Sequence, residues 1–342
     1  MYNKLKILYL GTGWSWKRAN AFRRLGHEVR FIDPLNLFPL KNLVGRLTYI
    51  TGGVFFEHFL TRRIISLIHY QNFDIVFIDS GELMGPYFLT KLRKFSELIL
   101  NYTTEDPFGK RDNNKWYLYL KAVPYYDLLA VVRETNIAEA YAYGAKKVLR
   151  VFMSADELDG PRVIIPEDRA RFNHEVLFIG TWMPERGPFL AQLLEGSIPL
   201  SLYGDGWQKS LEWPTLQSAW QGPAIYGDDY IKAIQMAKIS LGLLSKGNRD
   251  WHTTRTFEIP YCGGLLCAER TSEHLQLYRE GIEAVYWSDA SECIEKCREL
   301  LKNDRMREEI AKKGRLRCLS NGIFNENVLK KILEAALGIA RK

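Results

Sequence analysis

The feature that most constrains this chain is a short apolar run ending in glycine, which recurs along its length. Residues 6–10 (KILYL) lead into Gly11-Thr12-Gly13, a helical pattern over 17–25 stops at Gly26-His27, and a second apolar run, 29–32, ends at Asp33-Pro34. Strand, glycine turn, helix and strand in that order make a βαβ unit, because a helical crossover returns the chain to a parallel neighbour. Further apolar runs at 73–79, 98–102, 126–132 and 148–152, with a helix at 138–143, continue the pattern. Between 155 and 173 it dissolves into a polar stretch with two prolines, the best linker in the chain. It then restarts at 176–179, 200–203, 224–226 and 239–244, and closes in charged helices at 291–302, 304–318 and 326–340. The expectation is an α/β chain of two doubly wound parallel sheets. The domains would be 1–160 and 174–320, and a last helix, 321–342, would pack back on the first.

Charge and cysteine content narrow the chemistry. A net charge of +7, with a pI near 9.0, suits an anionic ligand or a membrane surface. The basic residues are scattered without a nucleic-acid motif, so nucleic acid is not an expected partner. No apolar run reaches the roughly 18–20 residues that span a bilayer. The N-terminal MYNKLKILYLGTG runs into a glycine turn rather than a cleavage site, which gives a first strand and an expected cytoplasmic location. All five cysteines fall in the last quarter, and an odd number without a secretory signal reads as reduced thiols. Cys293 and Cys297 stand one helical turn apart, but no spacing of His or Cys completes a metal site, so buried core thiols and no bound metal are expected.

In the first half, the spacing of Gly11 and Gly13 to Asp33 resembles a dinucleotide fingerprint, but Trp16 replaces its third glycine and disfavours NAD. Ligands of open parallel sheets sit beyond the carboxyl ends of the strands, which makes Glu82, Glu105 and Asp106 candidate acid or base groups. Helix caps and Asx turns account for the same residues equally well. Residues 41–70 mix Arg46, Arg62 and Arg63 with Phe55, Phe56, Phe59 and aliphatic residues. Such a segment is a core helix with a basic solvated face, or an amphipathic one touching a membrane or lipid-linked molecule. Trp14 and Trp16 are expected to line an acceptor pocket in this half.

In the second half the stretch from Lys246 to His274 concentrates Asp250, His252, Arg255 and Glu258 into nine residues, then closes with Pro260 and Gly263-Gly264. It reads as a polar loop, a short helix, a glycine stop and a buried strand. Glu258 falls near a helix N-terminus and Arg255 three positions earlier, a cation and a carboxylate suited to phosphate and sugar hydroxyls, or to a local ion pair. Arg186, in a turn between strand and helix, suits a phosphate clamp or an ion pair with Glu185.

The segments FIGTWMPERGPFL, LYGDGW, DWHTTRTFEIPYCGG and ECIEKCRELLKNDRMREEIAKKGRLRCL, with YTTEDPFG earlier, resemble the GT-B glycosyltransferases. The likeness is to the group-1-like transferases that include the CgeB spore-maturation type. That resemblance implies two Rossmann-like domains facing across a cleft, and sugar transfer from a UDP- or GDP-type nucleotide-sugar without a bound metal or other cofactor. The acceptor would be a cell-surface glycan, a lipid-linked sugar or a protein, and the basic charge balance, apart from the resemblance, also suits peripheral contact at the inner membrane face. The resemblance implies that Glu258 holds the ribose hydroxyls and Asp250, eight positions earlier, faces the donor sugar. Asp250 is shorter than the family's usual Glu. Arg186 fits the second basic position on the phosphates, Thr181-Trp182 stands where the first is expected, and Arg255 would supply the missing charge. Tyr226, Gly11 and Gly13 complete the expected donor contacts. A nucleotide-sugar epimerase and a catalytically silent nucleotide-binding module stay open beside the transferase.

Overall fold

The computed structural model describes residues 4–340, apart from the side chains of Trp14 and Ala340. The expected role of Trp14 therefore lies outside the described residues. The chain divides into two compact units, one of Met1–Asp156, Gly247–Arg249 and Phe324–Lys342, the other of Glu157–Lys246 and Asp250–Ile323.

Unit 1 is built on six parallel strands, β1 (Lys6–Leu10), β2 (Glu28–Ile32), β3 (Ile75–Asp79), β4 (Leu98–Thr103), β5 (Leu128–Val131) and β6 (Val148–Arg150), in the order β2-β1-β3-β4-β5-β6. Its helices are α1 (Trp16–Arg24), α2 (Lys41–Thr51), α3 (Val54–Ile68), α4 (Pro86–Leu92), α5 (Tyr117–Ala122) and α6 (Thr135–Ala142). The strands are almost unbroken apolar runs because a parallel sheet is covered on both faces. On β1 Leu8 and Leu10 face a core with Ile64, Val76 and Phe88, while Tyr9 stacks on Phe77 at 5.1 Å on the opposite side.

Residues 41–70 form two helices rather than one. Gly52 and Gly53 both take φ of 72°, a left-handed pair that ends α2 and starts α3. No side chain fits there, since a Cβ on Gly52 would lie 2.6 Å from Tyr117 Cβ.

Unit 2 carries β7 (Val176–Ile179), β8 (Leu200–Tyr203), β9 (Trp220–Gly222), β10 (Ile239–Gly242), β11 (Leu266–Glu269) and β12 (Val285–Trp287), all parallel, in the order β12-β11-β10-β7-β8-β9. Its helices are α7 (Pro166–Arg171), α8 (Arg186–Glu195), α9 (Trp213–Leu216), α10 (Gly227–Met236), α11 (Arg255–Cys262), α12 (Ser272–Leu277), α13 (Ala290–Leu301) and α14 (Asp304–Asn321). The last helix, α15 (Asn325–Ala340), belongs to unit 1, where Arg24 pairs with Glu326 and Lys147 donates to the Ala335 carbonyl.

Two local expectations differ from the structure. The third strand of this sheet is Trp220–Gly222, not 224–226, because Pro223 has no N–H to extend the ladder and Tyr226 already caps α10. The polar stretch 155–173 is not all irregular, since Pro166 opens α7 and Asp168 accepts from the Ile165 N–H and from Lys232.

Candidate functional site

Renumbered from its own first strand, the sheet of unit 2 runs 3-2-1-4-5-6, the order in which the chain reverses direction between β7 and β10. The loops leaving those two strands diverge, and a crevice opens at their carboxyl ends. Thr181, Leu243 and Leu244 stand there, together with the start of α8. The backbone is close-packed at this point. Gly204, just after β8, has φ of 147°, and a Cβ on it would lie 2.0 Å from the Gly180 carbonyl oxygen.

Arg186 opens α8 and turns inward. Its guanidinium donates to the carbonyls of Thr181 (2.9 Å), Leu244 (3.3 Å) and Leu243 (3.4 Å), and lies over the Phe178 ring. It thus ties together the loops that follow β7 and β10. Glu185 is engaged elsewhere, accepting from the Lys246 N–H at 2.9 Å. A cavity of about 190 Å³ opens beside this clasp, lined by Arg186, Phe189, Leu244, Trp287 and Asp289 among others.

The cluster at α11 is the most chemically distinctive part of unit 2. Arg255 is the first residue of the helix and Glu258 the fourth, so their side chains share a face, with Nη1 and Oε2 3.9 Å apart. Tyr230 on α10 donates its hydroxyl to Glu258 Oε2 at 2.7 Å, and its ring lies under the Arg255 guanidinium at 5.5 Å. Arg255 Nη2 reaches the Ile179 carbonyl at the end of β7 at 3.5 Å, which brings the pair to the switch point. Interaction with Tyr230 and with the Glu258 carboxylate raises the Arg255 pKa against the cost of its burial, while burial keeps the Tyr230 phenol itself neutral, so Arg255 and Glu258 form the charged pair of the cluster. Tyr226, which caps α10 four residues before Tyr230, is more than half exposed.

The helix itself is less open to an anion than its sequence suggests. The N–H groups of Thr256 and Phe257 already donate to the Thr253 and Thr254 carbonyls. Ahead of it, Asp250 is buried and its N–H donates to the Ser245 carbonyl. His252 is buried against Glu273. His274 on α12 completes the support, with Nδ1 2.6 Å from the Glu269 carbonyl and Nε2 2.9 Å from the Thr256 hydroxyl. A carbonyl only accepts, so Nδ1 carries the proton and Nε2 accepts from Thr256.

In unit 1 the strand order places the equivalent crevice between β1 and β3. Gly11 lies there, with no room for a Cβ against Ser15 and Asp79, and Gly13 takes a left-handed φ of 57°. The sequence reading missed what surrounds them. Asp79 at the end of β3 accepts from the buried Tyr9 hydroxyl and from Arg18 Nε (2.6 Å), and Arg18 lies over the Tyr102 ring. Four residues from four elements meet here, and no local spacing announces them.

The three carboxylates expected as acid or base occupy different surroundings. Asp106 is buried and accepts from Arg249 through both oxygens (2.6 and 2.9 Å), from Asn136 and from the Gly109 N–H. Arg249 also pairs with Glu139 and holds that carboxyl below its ordinary range. Glu105 pairs with Arg111 at 2.9 Å. Glu82, half-buried beyond β3, makes no side-chain hydrogen bond or ion pair among the described residues.

Folding also brings Cys267 beside Cys293 and Cys297, which stand one helical turn apart on α13. The sulfurs of Cys267, Cys293 and Cys297 lie within 4.8 Å of one another, fully buried in the apolar core of unit 2. Surroundings of this kind favour neutral thiols over thiolates.

A family model described as glycosyl transferase-like matches residues 186–334, a span that contains Arg186, Tyr226, Tyr230, Asp250, Arg255 and Glu258 but not Thr181. No match to a curated protein sequence was found. Among solved structures, sucrose-phosphate synthase from Thermosynechococcus elongatus is 13% identical, with a TM-score of 0.70 over 98% of this chain and 99% of that one. HepE from Anabaena, solved in complex with UDP-glucose, is 12% identical, with a TM-score of 0.66 over 97% and 99%. A glycosyltransferase from Rickettsia africae is 13% identical, with a TM-score of 0.63 over the whole of both chains. At these identities the likeness is one of fold.

Proposed function

We propose that this chain, which carries a glycosyl transferase-like domain over residues 186–334 on a GT-B fold, moves a sugar from a nucleotide-sugar to a hydroxyl acceptor, with UDP as the donor nucleotide. The observation that carries the reading is the Arg255, Glu258 and Tyr230 cluster beside the end of β7. Breaking the bond to a nucleoside diphosphate leaves negative charge on the phosphate, and fixed cations positioned in advance stabilise it. Arg255 is that cation. Glu258 accepts the two ribose hydroxyls, each charge-assisted bond contributing roughly 1.5–3 kcal/mol. In the unliganded protein the Tyr230 hydroxyl occupies one of its oxygens.

Arg186 acts on the phosphates through the loops it holds, keeping the Thr181 and Leu244 backbone in place. Asp250 faces the donor sugar. With the Arg255 guanidinium and the backbone that Arg186 holds facing the leaving group, the reaction proceeds without a bound metal. Of the three carboxylates considered for the base, we favour Glu82, which is not engaged by a cation.

UDP and GDP, added at about 100 times a dissociation constant, should stabilise a binding protein by nearly 3 kcal/mol. UDP is expected to raise the melting temperature of the wild type and to leave Glu258→Ala unmoved. Incubation with UDP-glucose and EDTA should then release UDP, accelerated by a glycan or lipid-linked acceptor. Stabilisation by GDP alone moves the nucleotide assignment. Isomerised sugar without transfer replaces the transferase by an epimerase, and tight UDP binding with no turnover by a silent module.

A further inference from the structure

The α2–α3 hairpin of unit 1 presents a surface that the transfer reading does not use. Its inner side is core: Val44, Leu60, Ile64 and Ile68 are buried, and the buried Glu57 accepts the Phe88 N–H at 3.0 Å, fixing α3 to the start of α4. Its outer side is apolar where a solvated helix pair would be polar. Phe55 is 80% exposed, Ile50 68% and Leu40 66%, and Val54 and Phe59 are exposed as well. Ile50 stands in the last turn of α2 and Val54 and Phe55 begin α3 across the Gly52-Gly53 turn, so these three form the tip. One turn back from Ile50 stands Arg46, and one to two turns on from Phe55 stand Phe59, Arg62 and Arg63.

The charge on this segment has one sign. From residue 34 to residue 73 the chain contains Lys41, Arg46, Arg62 and Arg63 against a single carboxylate, Glu57, which is buried. None of the four cations forms an ion pair among the described residues. We propose that this hairpin is a docking surface for an anionic lipid bilayer, with the apolar tip entering the boundary between headgroups and acyl chains and the four cations lying among the headgroup phosphates. The helices lie in the surface and do not cross it: α3 has 15 residues, and no helix among the described residues is long and apolar enough to span.

Charge sets this partner apart from a second copy of the chain. A two-fold interface places the same patch on both sides, which would bring four cations against four with no exposed carboxylate between them. An anionic membrane supplies both the opposite charge and an apolar phase for Phe55 and Ile50. The inference is independent of the Arg255, Glu258 and Tyr230 cluster, which lies in unit 2.

Co-sedimentation with vesicles of phosphatidylcholine, alone or with about 30% phosphatidylglycerol, tests it at low and high salt. The full chain is expected to partition onto the anionic vesicles and to be released by salt. Arg62→Gln with Arg63→Gln should weaken partitioning roughly 30-fold, since each headgroup-level cation contributes about a factor of five. Phe55→Ser should weaken it about tenfold or more by removing a buried aromatic ring. Both sites are exposed, so UDP should raise the melting temperature of each variant as it does the wild type. Partitioning that ignores either substitution, or its absence at low salt, overturns the proposal. So does a dimer in sedimentation equilibrium that dissociates in Phe55→Ser, because a second copy then covers the surface.

Discussion

At the scale of single residues, the donor reading rests on a cation and a carboxylate that share one face of α11. Arg255 and Glu258 are three apart, so any helix over them puts cation and carboxylate on one face, as observed. Tyr230, 28 positions away on α10, could be found only once the fold brought α10 beside α11. Removing Glu258 takes away two charge-assisted bonds to a ribose, so Glu258→Ala should weaken UDP binding by about two orders of magnitude or more, measurable by calorimetry. Tyr230→Phe leaves the carboxylate in place and removes a competitor for it, so UDP affinity should hold or rise slightly. A loss as large as that of Glu258→Ala would mean that Tyr230 itself touches the nucleotide. The carboxylates of unit 1 separate in the same way. Glu82→Gln should lower kcat about 100-fold or more with little change in melting temperature, as expected of a general base. Asp106→Asn should chiefly destabilise, because Arg249 loses one of its two carboxylate partners and the buried site loses its charge-assisted bonds.

At the scale of elements, the glycine-terminated apolar runs were legible because a parallel strand buried on both faces cannot be anything but apolar. The short pieces were not. α12 and β12 span six and three residues, too few to show a period, and they are held by tertiary contacts such as that of His274 with Thr256. That contact makes a pH prediction. Burial lowers the His274 pKa to about 4, against the support of the Glu269 carbonyl. An unfolded histidine titrates near 6.5, so on acidification the unfolded chain takes up the proton first. The loss of stability therefore begins near pH 6.5 and is complete near pH 4, amounting to about 3 kcal/mol. Denaturation at pH 7 and at pH 4.5 should show a smaller difference for His274→Gln than for the wild type, and an unchanged difference assigns the effect to other groups. The β8 exit makes a second, steric prediction. Gly204→Ala meets the Gly180 carbonyl and a φ that no side chain favours, so it should cost about 3–5 kcal/mol, read as a melting point lower by roughly 10 °C.

At the scale of the whole molecule, the chain does not simply finish one unit and begin the next. Its last helix, α15, lies in unit 1 with Leu329, Ile332, Leu333 and Ala336 fully or almost fully buried, and Asn325 donates to Asp156 and accepts from Ser154. Burying the three larger apolar side chains contributes about 5–9 kcal/mol, which is comparable to the entire stability of an ordinary domain. Removal of residues 324–342 should therefore unfold unit 1 while leaving the sheet of unit 2 its own core of Leu202, Trp207, Ile239 and Leu241. Two units with separate cores need not melt together. In differential scanning calorimetry the intact chain should show a component raised by UDP. The truncated chain should keep that component and its UDP response, while protease rapidly digests the region from β1 to β6. A truncated chain that retains its fold over β7 to β12 but no longer responds to UDP would place essential donor contacts in unit 1, where Gly11 and Gly13 were expected to supply them.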